Sequence, residues 1–76
     1  MADGGTSLRR IREELGLSQE AVARRTTASL GTYRRAENGF PVNYSTAQEI
    51  LQAINSFLRE HGKKEVTLGD LGLQLT

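Results

Sequence analysis

The sequence predicts an all-α domain, a compact bundle of about five helices, and three observations lead there. Apolar residues recur at spacings of three and four along most of the chain, helix-capping residues stand just before those runs, and glycines stand just after them. Only Leu71, Leu73 and Leu75, alternating with Gly72 and Gln74, follow the two-residue period of a strand or an extended tail. The 76 residues make one domain at most, and a chain this short buries only about 60% of its unfolded surface, too little to line a deep catalytic cleft.

Residues 1–6 read as a flexible lead and residues 7–76 as the single folded domain. In the first helix, roughly Ser7 to Leu15, the residues Leu8, Ile11 and Leu15 share a face and Gly16 supplies the stop. Ser18 is the N-cap of a second helix, with Leu17 and Val22 as a hydrophobic staple and Glu20 near the positive end of the dipole. Ser29 caps a third, with Ala28 and Tyr33 as its staple and an end near Asn38-Gly39. After the loop Gly39-Phe40-Pro41-Val42 comes the long core helix, where Ala47, Ile50, Leu51, Ile54, Phe57, Leu58 and His61 fall on one face. Either Asn43 or Ser45, the latter with Gln48 as a capping-box partner, can start it, and Gly62 ends it. Thr67 and Asp70, three apart between Val66 and Leu71, announce a short fifth helix.

Composition narrows the function. With no cysteine there is neither a disulfide framework nor a thiolate metal site, which suits a reducing cytosol and predicts a cytoplasmic protein without a cofactor. The longest apolar run, Ala21-Val22-Ala23, is too short for a membrane span. A single histidine, His61, at the end of the long apolar face is read as a packing or helix-dipole residue, so no metal is expected. Glu13-Glu14 is the only adjacent carboxylate pair, and neighbours on a helix point apart, so catalysis is disfavoured.

The formal net charge of +1 conceals an asymmetry, because residues 1–35 carry +3 and residues 36–76 carry −2. Between Ala21 and Ala36 stand Arg24, Arg25, Arg34 and Arg35 with no acid, a local footprint for phosphate or simply a solvated helix face. In the same region, Ser18 to Gly39 holds two short helices joined by a tight turn near Thr26-Thr27-Ala28, the helix-turn-helix plan, over about residues 18–38.

The residues Leu17-Ser18-Gln19-Glu20, Ala23, Ser29, Thr32 and Arg35-Ala36-Glu37-Asn38-Gly39, together with Leu8, Arg12 and Gly16, closely resemble the helix-turn-helix family of phage repressors, Cro proteins and Xre-type regulators. The resemblance implies a lambda-repressor-like fold and double-stranded DNA as partner. It implies base reading in the major groove by Ser29, Leu30, Gly31, Thr32 and Arg34. Leu30 and Arg34, four apart, would share one line of the helix, Arg34 facing guanine and Leu30 a thymine methyl. It also implies phosphate contacts from Gln19, Arg35 and Asn38, and a partly buried structural ion pair between Arg12 and Glu37. Tyr33 is expected in the core with its hydroxyl at the rim.

Three residues depart from that pattern. Thr27 stands where the family's turn has glycine, and a β-branched residue in a left-handed conformation costs on the order of 1–2 kcal/mol, which predicts a reshaped turn. Thr26 replaces a larger apolar residue, predicting looser packing of the second helix on the third. Gly31 lies inside the recognition helix at a cost of about 1 kcal/mol, which close approach to DNA would justify. The long fourth helix and the apolar residues Phe57, Leu58, Val66, Leu68, Leu71, Leu73 and Leu75 suggest a homodimer, with a dimerisation tail at 66–76. The function expected is a sequence-specific transcriptional regulator, a repressor. The alternative is a protein-interaction module such as a DNA-binding antitoxin or an adaptor.

Overall fold

The computed structural model describes residues 6–76, so most of the expected lead lies outside the described residues. Thr6 does not belong to that lead, because its hydroxyl accepts the backbone N–H of Arg9 at 3.2 Å and caps the first helix. The described residues form five helices: α1 (Ser7–Glu14), α2 (Gln19–Ala23), α3 (Leu30–Glu37), α4 (Tyr44–Glu60) and α5 (Leu68–Leu71).

Each helix starts where a side chain satisfies a backbone donor that the helix itself cannot. Ser18 accepts from the N–H of Ala21 and Ser29 from that of Thr32, at 3.0 and 3.1 Å. At α4 the choice falls on Asn43, whose side chain accepts the N–H of Thr46 at 2.8 Å, and not on Ser45. Thr67 and Asp70 close a reciprocal capping box on α5.

α4 is the spine of the molecule. Its residues Ala47, Ile50, Ala53, Ile54, Phe57 and Leu58 are buried, while α2 packs across both α3 and α4 and α5 packs on α1 and α4. The other large buried side chains, Leu8, Val22, Tyr33 and Leu71, bring one contribution from each remaining helix. Leu51 lies at the edge of the apolar face, half-buried, and the face ends before His61, which is exposed. His61 instead caps α4, with Nδ1 donating to the carbonyl of Phe57 at 2.8 Å. Asn55, buried on the same helix, accepts the N–H of Val66 at 2.8 Å and donates to its carbonyl at 3.0 Å. A side-chain amide thus imitates a strand partner and ties the segment before α5 to α4.

The tail is extended and joins the fold through an isolated parallel bridge between Val42 and Leu75. The N–H of Val42 donates to Gln74 and its carbonyl accepts from Thr76, both at 2.9 Å. The apolar residues expected to be left over here are mostly taken up by the core. Phe57, Leu58 and Leu71 are buried, Val66, Leu68 and Leu73 pack against them, and only Leu75 of the set stays exposed. No helix among the described residues is long and apolar enough to cross a membrane.

Candidate nucleic-acid interface

The turn between α2 and α3 is held by side chains. Among the described residues only glycines have positive φ, so Thr27 avoids the left-handed conformation that a glycine turn would require. Thr26 donates its hydroxyl to the carbonyl of Ala23 at 2.8 Å and accepts the N–H of Ala28 at 3.0 Å. The N–H of Thr27 donates to Glu49 on α4 at 2.7 Å, and its hydroxyl oxygen lies 2.8 and 2.9 Å from the two carboxylate oxygens. These hydrogen bonds hold the Glu49 carboxyl below its usual pKa, the backbone bond contributing most. The turn is therefore anchored to the spine of the fold.

α3 has two unlike faces, as its 3.6-residue period requires. Tyr33, Ala36 and Glu37 are buried, Leu30 is half-buried against the core, and Gly31, Thr32, Arg34, Arg35 and Asn38 are exposed. Ser29, at the N-cap, is exposed and donates to the hydroxyl of Thr32 at 3.1 Å. The line formed by Gly31 and Arg35 lies opposite the buried edge, with Asn38 beside it. Leu30 and Arg34 lie on the flank toward α2, where Leu30 borders Glu20, Ala23 and Arg24. Gly31 is not demanded by packing, since a Cβ there would meet only the Ser29 hydroxyl at 3.9 Å.

Beneath that surface lies a polar knot around Glu37, which is fully buried. The Nε of Arg12 donates to its Oε2 and Nη2 to its Oε1, the latter at 3.1 Å, while Nη1 donates to the carbonyl of Leu17 at 2.7 Å. Tyr33 donates its hydroxyl to Oε2 at 2.7 Å, so that hydroxyl sits inside the knot and not at the rim. Gln19 donates from Nε2 to Oε1 at 3.0 Å. Arg9, which sequence reasoning missed, brings Nε to 3.9 Å from the same oxygen.

Burial alone would push the Glu37 carboxyl up, but hydrogen bonds from Arg12, Tyr33 and Gln19 and the charge of Arg12 together hold it below its usual value. The same pairing raises Arg12, chiefly through its hydrogen bond to Glu37. Burial first, and then the hydrogen bond to the carboxylate, raises Tyr33 far above an ordinary phenol. Glu37 is thus ionised and Tyr33 neutral at pH 7, and α1, α2 and α3 are pinned to one carboxylate.

The four arginines of the basic stretch have different surroundings. Arg25 turns to α4, where it donates to Ser56 and Glu60 and lies 3.7 Å over the ring of Phe57. Arg34 donates from Nε to Gln19 Oε1 at 3.1 Å. Gln19 therefore has both ends of its amide engaged, with one N–H left over. Arg35 lies over the ring of Phe40, its guanidinium carbon 4.8 Å from the centroid. Arg24 is exposed at the end of α2. Neither Arg25's contacts nor the Arg35–Phe40 contact has a local signal in the chain, apart from the five-residue separation of the latter pair.

No curated protein and no solved structure is significantly similar to the chain. A family described as the helix-turn-helix domain matches residues 5–55, two thirds of the chain and all of α1, α2 and α3. With its capped α2 and α3 and the carboxylate that locks them to α1, the chain belongs to the helix-turn-helix domain family, which implies DNA as its partner.

Proposed function

We propose that the protein is a sequence-specific transcriptional regulator, a repressor, that inserts α3 into the major groove of double-stranded DNA. The observation that carries this reading is the contrast within α3, whose buried side is locked to two other helices while its exposed side offers small, polar and arginine side chains. A rigid helix with an unencumbered face suits groove insertion, because base reading requires donors held in register with base edges. Ser29, Gly31 and Thr32 supply the exposed first turn, and Leu30 and Arg34 the flank toward α2. The remaining N–H of Gln19, Arg35 and Asn38 are assigned to phosphates.

Selection of bound sequences from random duplex DNA tests this reading, and a recovered motif whose binding weakens steeply with salt supports it. Recovery of no motif, with affinity indifferent to salt, would favour a protein-interaction module instead. One recognition helix covers only a few base pairs, so we also propose a homodimer on a roughly palindromic site, its two α3 helices about 34 Å apart. Leu75, in the tail and exposed, is the apolar side chain offered for that interface. Sedimentation of the full chain and of Leu75→Ser at micromolar concentration tests it. A monomer that binds a single asymmetric half-site would defeat the dimer.

A further inference from the structure

The end of α3 is built by Asn38-Gly39-Phe40. Gly39 adopts φ 90°, its N–H donates to the carbonyl of Ala36 at 3.1 Å, and the N–H of Phe40 donates to the carbonyl of Arg35 at 3.0 Å. In this double closure the residue after the glycine folds back over the residue five earlier, and the two side chains commonly make an apolar contact. Here the partner of the ring is a guanidinium.

Two features set the contact apart from an ordinary cap. Phe40 is 48% exposed and is not part of the core cluster, so the ring contributes little to burial. Arg35, in turn, has no acceptor for its N–H groups among the described residues, whereas Arg12, Arg25 and Arg59 are paired with carboxylates and Arg34 with Gln19. A face contact restrains the guanidinium plane and leaves the donors along its edge unspent. Gly31, one turn earlier on the same line, places no side chain beside it.

We infer that Phe40 is a positioning residue that makes Arg35 a base-reading side chain, holding its donor edge outward to meet O6 and N7 of guanine in the major groove. This rests on the DNA-binding reading above and changes one assignment within it, moving Arg35 from phosphate to base edge. A bidentate pair with guanine needs the guanidinium in one plane. An unrestrained arginine would lose rotamer freedom on binding, and the ring removes part of that cost beforehand.

The test measures affinity for the selected site, for the same site with each base pair changed in turn, and for random-sequence duplex, alongside the melting temperature of each variant. Arg35→Ala and Phe40→Ala are expected to relax preference at the same G·C pair, Phe40→Ala by roughly 2- to 5-fold, the range of an exposed cation–π contact. Phe40→Tyr keeps the ring and is expected to restore the preference, and Phe40→Ala added to Arg35→Ala is expected to cause no further loss. If Phe40→Ala lowers the melting temperature but leaves base discrimination intact, Phe40 is only a helix cap and the inference falls. If Arg35→Ala weakens every duplex alike, Arg35 holds a phosphate and the inference falls while DNA binding stands. Failure of the unaltered protein to prefer any sequence would sink the underlying reading as well, and that result is visible before any variant is made.

Discussion

The inner and outer faces of α3 use the same kinds of residue to opposite ends. On the inner face one glutamate gathers donors from Arg12, Tyr33 and Gln19, and each of its two oxygens accepts two hydrogen bonds. On the outer face Arg34 and Arg35 are held from the side or from below, by a neutral amide and by an aromatic ring, with no carboxylate against either. A buried charge must be paired, because water is not there to solvate it. An exposed charge gains little from pairing, so leaving it unneutralised costs little stability and keeps it available for a polyanion. Burial, more than residue type, separates stability from binding within this one helix.

Removing the carboxylate should break the comparison most severely. Glu37→Ala leaves Arg12 buried without its partner, and unfolding measurements are expected to show a loss of about 3 kcal/mol or more. An unchanged melting temperature would mean that the knot adds nothing to stability. Arg34→Ala acts on the other face. It is expected to leave stability alone and to weaken specific binding by about 1–3 kcal/mol with relaxed preference at one base pair. Equal loss on every sequence would instead make Arg34 a phosphate contact.

Gly31→Ala separates the two faces in a different manner. Nothing in the fold opposes a methyl group there, so the variant should gain up to about 1 kcal/mol of stability from its lower backbone entropy when unfolded. Binding to the selected site should fall if the helix backbone approaches the bases as proposed, and a variant that is more stable and binds equally well would remove that reason for the glycine. The finest test is the acid limb of the stability curve. Because Glu37 is held below its usual pKa, its contribution is complete above the ordinary glutamate value of about 4.3 and disappears as pH falls through the lowered folded value. Glu37→Gln should therefore flatten the stability curve over that window, as followed by denaturant midpoints. An identical slope in both proteins would assign the acid sensitivity to other carboxylates.

How much of this could be read from the chain depends on how far apart the partners lie. Ser18, Ser29 and the pair Thr67 and Asp70 cap their helices where the sequence places them, because a cap joins atoms three residues apart. Asn43 and Ser45 are equivalent starts for α4 in the sequence, and in the structure it is Asn43 that accepts the backbone N–H of Thr46. Asn55 gave no sign that it would be buried, since its partner is the backbone of Val66 in another segment. Leu30 and Arg34 share one line of α3, as their spacing requires, but that this line lies toward α2 depends on how the helices pack.

By itself the sequence determined the number, order and approximate limits of the helices, the stop signals between them and the concentration of arginine around α2 and α3, because propensity, capping and apolar periodicity act over a few residues. Tertiary structure alone decided which arginines remain available on the surface. It turned Arg25 onto Phe57 and Glu60, gave Gln19 to Glu37 and Arg34, and bound the threonine turn to Glu49 across 22 residues of chain. A side chain's charge is written in the sequence, but whether that charge is spent depends on distances that exist only once the helices have packed.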